Sequence, residues 1–289
     1  MKKTFLFLLS FIAVLLLAVF ISPLLFHVLP YKFERIFNRI VMIGTLICVA
    51  AFVRIRRENL SQYGLLFDVR AIQMLSIAFI CPVVVLSIYV ALQSLFGEAV
   101  YSLQPVGAVQ WINRICGATL TGLLIGTIEE LFFRGVVFHG LKSFFKNRLV
   151  VALILTNAFY SIVHFVNAKK PFIDQSPTFM DSLRVLGAPL QSLVHFGNYW
   201  PGFVGLFIFG LMLTGLLLRT KSLYPAIGLH AGAVFFIKTD GLLVDFGQTN
   251  LIWGSSKMYD GIAGWLALIT LYFVLTILLK KSSTQPPSI

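Results

Sequence analysis

The sequence predicts an all-α fold, a polytopic transmembrane helical bundle of about eight spans, and three observations predict it. Only 12% of the 289 residues are charged while 58% are hydrophobic; an ordinary soluble domain carries about 25% charged residues. Mean hydropathy is +0.90. Several runs reach the roughly 20 apolar residues that a helix needs to cross the hydrocarbon core of a bilayer.

The spans fall at about 4–26, 38–53, 72–96, 115–138, 149–166, 202–218, 222–238 and 261–279. The first follows Met1-Lys2-Lys3 as a secretory signal would, but it is longer than a signal core and lacks an A-x-A site, so an uncleaved helix is expected. The formal charge of +12 does not call for nucleic acid, because basic residues collect in cytoplasmic loops. With the N-terminus inside, the inner segments run from Lys2 and Lys3 through Arg54, Arg70, Lys142, Lys146, Arg148, Arg219 and Lys221 to Lys280, with Glu58 and Asp68 as their acids. Both termini are therefore expected in the cytoplasm of a cell (inner) membrane. Cys48, Cys81 and Cys116 lack metal-type CxxC spacing and read as small buried hydrophobes. The segment 167–200 reads as a surface loop with an amphipathic helix around "TFMDSLRVLG", either a cap over a site or a plain connection. The polar tail from Lys280 reads as disordered. Residues 1–114 are expected to form N-terminal helices, 115–240 a catalytic core, and 241–289 a last span with its flanks.

Within the fourth span, "GTIEELFFRG" places Glu129, Glu130 and Arg134 at membrane depth. Each isolated charge there costs about 2.5–3.5 kcal/mol. Glu130 and Arg134 are four apart with the acid first, the favoured order for a pair on one helix face. Glu129 lies about 100° round the helix and is the less satisfied charge, which makes it the functional candidate. Gly122 and Gly126 let another helix approach closely.

Two further spans carry imidazoles: His164 in "NAFYSIVHF" and His230 in "YPAIGLHAGAVFF". A single intramembrane His is more often a packing contact than a catalytic group. Three helices bringing Glu129, His164 and His230 together resemble the way sites in helix bundles are built from facing helices. Gly228 and Gly232 flank His230, and Tyr160 and Asn157 lie about one and two turns before His164 as hydrogen-bond donors. His27, His139 and His195 sit near interfaces and are weaker candidates. His164 lies only five residues before Lys169, which predicts a depth mismatch with Glu129 approaching about 10 Å.

Such a set can activate a water against an amide carbonyl, either with Glu129 as general base or with Glu129, His164 and His230 holding a Zn²⁺. The sequence leaves both open. No HExxH, GxSxG or paired-aspartate motif is present. The rival readings are a proton-coupled transporter, an immunity or scaffold protein, and a purely structural ion pair.

The order EExxxR (Glu129 to Arg134), aromatic-xxx-His (Tyr160 to His164) and a late His (His230) resembles the CPBP family, the CAAX-protease and bacteriocin-processing intramembrane endopeptidases. The family's Phe is Tyr160 here, and its expected Asn is Val234. The resemblance implies Glu129 as catalytic carboxylate, Glu130 and Arg134 as orienting groups, and His164 and His230 as binders of water, metal or oxyanion. It implies a membrane-embedded or lipidated peptide or protein substrate in the lipid bilayer.

Overall fold

A computed structural model describes residues 2–56, 64–165, 173, 176–194 and 196–282. Ten α-helices carry most of this length: α1 (Lys2–Phe26), α2 (Phe33–Arg56), α3 (Val69–Leu95), α4 (Ala108–Glu130), α5 (His139–Phe144), α6 (Leu149–Phe165), α7 (Phe179–Val194), α8 (Phe196–Thr220), α9 (Tyr224–Thr239) and α10 (Ile262–Ser282). The expected all-α transmembrane bundle is the fold. One small departure is a two-stranded antiparallel ribbon, β1 (Ala99–Tyr101) with β2 (Val244–Phe246), in the register Ala99 with Phe246.

Among the described residues, five helices are long and apolar enough to cross a membrane, and Leu149–His164 is a shorter apolar one. α9 has 16 residues and α6 has 17, about 24–26 Å of helix. A helix walled in by other helices need not present a full bilayer thickness to lipid, and α9 packs against α3, α4 and α8. The amphipathic helix expected near 178–187 is α7. It opens on a capping exchange in which the Thr178 N–H and hydroxyl both donate to Asp181. His195 and the tail beyond Ser282 lie outside the described residues. The cysteine expectation is corrected: Cys81 is buried, Cys48 half-buried and Cys116 exposed. The cause is that α4 turns its N-terminal half outward, where a thiol faces lipid as readily as core.

Glycine sets the spacing at the centre. A Cβ on Gly122 would stand 2.5 Å from the Ala231 carbonyl, and one on Gly126 3.1 Å from that of Ile227. On the other side of α9, Gly228 and Gly232 press on the α3 backbone at Leu75 and Phe79. So α9 is sandwiched between α3 and α4 at backbone contact, the packing that small residues permit.

The two ends of the bundle differ in charge. Phe138, Ala152, Leu217, Leu223 and Ile227 form one apolar cluster, so the α5–α6 turn, the α8–α9 turn and the start of α3 share an end. Arg70, Lys142, Lys146, Arg148, Arg219 and Lys221 stand there with Asp68. The opposite end holds the ribbon and the loop before α10, where Arg114, Lys238 and Lys257 are mixed with Glu98, Asp240, Asp245 and Asp260.

Candidate active site

α4 does not end as an α-helix. Residues Leu131–Phe138 continue it as a π-helix before α5, a wide turn that is rare and often marks functional sites. Phe132, Phe133, Arg134, Gly135, Val136 and Phe138 are all buried, as expected where a helix is surrounded by others. His139 closes the segment: its Nδ1 lies 2.7 Å from the Arg134 carbonyl oxygen.

Just before this segment, two adjacent carboxylates reach two different neighbours. Glu130 and Arg134 pair at 3.1 Å and are both 0% exposed. Arg134 also donates Nη2–H to the Gly210 carbonyl on α8 at 3.2 Å and lies 4.5 Å from the centre of the Tyr160 ring, a cation–π contact. Glu129 is the more accessible acid, its side chain 25% exposed. Its Oε2 lies 2.7 Å from His164 Nε2 on α6 and 3.6 Å from His230 Nε2 on α9. Three helices thus bring Glu129, His164 and His230 to one oxygen. The expected depth mismatch is absent: the last turn of α6 brings His164 level with Glu129, side chain to side chain.

Geometry fixes the protons. His164 Nδ1 lies 2.8 Å from the Tyr160 carbonyl, which can only accept, so Nδ1 carries hydrogen. Nε2 then meets Glu129 across one shared proton. His230 Nδ1 lies 2.9 Å from Glu130 Oε1, the oxygen that also accepts from Arg134 Nη1, so this Nδ1 also carries hydrogen. Both imidazoles therefore anchor Nδ1 outward and turn Nε2 toward Glu129.

Two supporting expectations change. Tyr160 serves with its carbonyl and ring, which lies 4.2 Å from the His164 ring centre, whereas its hydroxyl was the expected donor. Asn157 does not face the site: its Nδ2–H donates to the Leu153 carbonyl, and its Oδ1 accepts from Thr214 on α8 at 3.1 Å. Both sit on the predicted face of α6, but α8 comes close there through Gly210 and takes the amide. The bond between Glu130 and His230 was not anticipated. The adjacent Glu129 and Glu130, about 100° apart on a helix, were the available sign that two partners would be served.

A cavity of about 180 Å³ adjoins the site. Tyr160, His164 and His230 form its floor, Val234 and Ile237 one wall, and Lys257, Met258 and Tyr259 its rim. Burial, chiefly, and the Asp260 carboxylate push the Tyr259 phenol up to about 12, so it stays a neutral donor. Val234, standing where the resembled family has Asn, lines the cavity one turn beyond His230.

Among the described residues, no group of three or more His, Cys, Asp and Glu stands in metal-holding geometry. The donor chemistry nonetheless suits a cation. Metal-binding histidines commonly anchor the other ring nitrogen on a carbonyl or carboxylate, as His164 and His230 do here.

No curated protein and no solved structure matches the chain. Residues 111–236 match the family described as type II CAAX prenyl endopeptidase, Rce1-like. That segment contains Glu129, Glu130, Arg134, Tyr160, His164 and His230, so the CPBP resemblance read from three short motifs holds over the part of the chain that builds the site.

Proposed function

We propose that the protein is a CAAX-type intramembrane endopeptidase in which Glu129 and His164 activate a water and His230 receives the developing oxyanion. The family match supports the coarse activity. The observation that carries the residue roles is the convergence of both imidazole Nε2 atoms on Glu129 Oε2, at 2.7 and 3.6 Å. Residues 115–240 are the catalytic core in this reading, and the segments on either side support it.

In the proposed step a water enters from the cavity beside Glu129. Glu129 takes one of its protons as the oxygen attacks the carbonyl carbon. The His164 ring, fixed through Tyr160, keeps the carboxylate oriented. In this metal-free step His230 carries hydrogen on both ring nitrogens, so that Nδ1–H is held by Glu130 while Nε2–H donates to the oxygen that gains charge. As the C–N bond breaks, the proton held by Glu129 passes to the leaving amine. Val234 cannot donate a hydrogen bond, so this assignment places more of the oxyanion's stabilisation on His230.

A second reading is favoured by the outward-anchored Nδ1 atoms. Glu129, His164 and His230 would hold a Zn²⁺, which lowers the pKa of a bound water.

The test is purified protein in detergent with a panel of fluorogenic peptides. Glu129→Gln and His164→Ala are expected to lower kcat by about 10²–10⁴-fold, the usual share of a general base, and His230→Ala by about 10²–10³-fold, with native helical content. Full activity in Glu129→Gln ends the proposal. Loss of activity in a chelator with rescue by zinc selects the metal reading; indifference to chelator selects the metal-free one.

A further inference from the structure

We propose that the cavity is entered from the extracytoplasmic face, so that the substrates are membrane-anchored peptides displayed on that face. The word substrate rests on the endopeptidase reading above; the sidedness does not.

Two independent observations meet here. The first is where the cavity lies. His230 is near the middle of α9, and the wall continues only toward its C-terminal end, through Ala233, Val234 and Ile237, to a rim at Lys257 and Tyr259 in the loop before α10. The contributions of the other helices agree: Leu86 comes from the second half of α3, and Leu206 and Leu268 from the first halves of α8 and α10. In the other direction the way is blocked. Phe138, Ala152, Leu223 and Ile227, each no more than 2% exposed, close the space between the site and the opposite end.

The second observation is charge. The blocked end is the basic one, with Arg70, Lys142, Lys146, Arg148, Arg219 and Lys221 beside Asp68 as the only carboxylate among its described residues. Short loops rich in Lys and Arg stay in the cytoplasm during insertion. The open end mixes Lys32, Arg35, Arg114, Lys238 and Lys257 with Glu34, Glu98, Asp240, Asp245 and Asp260, a near-balanced composition that insertion does not retain. The basic end is therefore cytoplasmic and the cavity faces the other side. A lipidated C-terminus presented in the cytoplasm would meet the apolar plug and not the Glu129–His164 pair. A peptide anchored in the outer leaflet would meet the rim directly.

The experiment reads sidedness and activity separately. In a background with Cys48, Cys81 and Cys116 replaced by Ala, Asp245→Cys on the ribbon and Arg148→Cys at the basic end are treated with a membrane-impermeant maleimide. In intact cells Asp245→Cys is expected to label and Arg148→Cys to label only after permeabilisation. The reverse pattern overturns the proposal. Wild-type protein in sealed right-side-out vesicles should cleave an impermeant fluorogenic peptide added outside. Inside-out vesicles should cleave it only after detergent. Cleavage by sealed inside-out vesicles alone overturns the proposal even if labelling agrees. Absence of cleavage in detergent as well removes the endopeptidase reading, and with it the substrate assigned here, while the labelling still decides which face is open.

Discussion

A single oxygen, Glu130 Oε1, accepts from both Arg134 Nη1 at 3.1 Å and His230 Nδ1 at 2.9 Å. Stability and function therefore draw on the same atom, and substitution can separate them. Glu130 Oε2 and Arg134 Nε have no hydrogen-bond partner among the described residues, so the pair is incompletely compensated for its burial. Removing one member leaves the other charge alone, at a cost of about 3–5 kcal/mol, whereas replacing both by apolar groups of similar size is often neutral or stabilising. Glu130→Met is accordingly expected to lower the thermal midpoint strongly, and Glu130→Met with Arg134→Met to restore it. The double variant should still be slow, by about 10–100-fold, because His230 has lost the carboxylate that orients it. Thermal unfolding and peptide cleavage on the same preparations check this; full activity in the stable double variant would show that Glu130 only neutralises Arg134.

At the level of elements, the site depends on how closely α4 and α9 approach. Gly122 lies two turns before Glu130, with the Ala231 carbonyl 2.5 Å from where its Cβ would be. Ala231 is the neighbour of His230, so any side chain at 122 pushes on the strip of α9 that carries the imidazole. Gly122→Ala is expected to destabilise by about 1–3 kcal/mol, the usual cost of overpacking. It should also reduce cleavage beyond what the lost stability explains, measured as kcat on fully folded protein. Gly117→Ala on the same helix is the control: a Cβ there meets nothing within 4 Å, and replacing Gly within a helix is itself favourable by up to about 1 kcal/mol. Equal effects at the two positions would mean that helix propensity, not the α4–α9 contact, governs the site.

For the molecule as a whole, what was legible in the sequence follows from the range of each interaction. The Glu130–Arg134 pair is local, four residues apart, and could be read directly. Glu129, His164 and His230 were legible as a set because charge and imidazole at membrane depth are costly and rare. The π-helix and the Asn157–Thr214 bond were not legible, since both depend on which neighbour arrives beside the helix. The same distinction of range orders the stability of the parts. α3, α4 and α9 are joined at backbone contact through Gly122, Gly126, Gly228 and Gly232. α1, α2 and α7 instead share a small cluster of their own around Ala18, Val19 and Phe37, and α1 exposes Leu16, Leu17, Phe20 and Leu24 along its length. Local opening starts where buried apolar contact is sparse. In hydrogen exchange on protein in nanodiscs, the amides of α7 and of the paired ends of α1 and α2 should therefore exchange before those of α3, α4 and α9. Lipid slows exchange equally along every spanning helix, so the comparison is best read at α7 and the ends of α1 and α2, where water reaches the backbone. Protection at α7 equal to that at the middle of α9 would mean that the peripheral helices are held by α3, α4 and α9 as firmly as these three hold one another, and that the whole bundle opens as one unit.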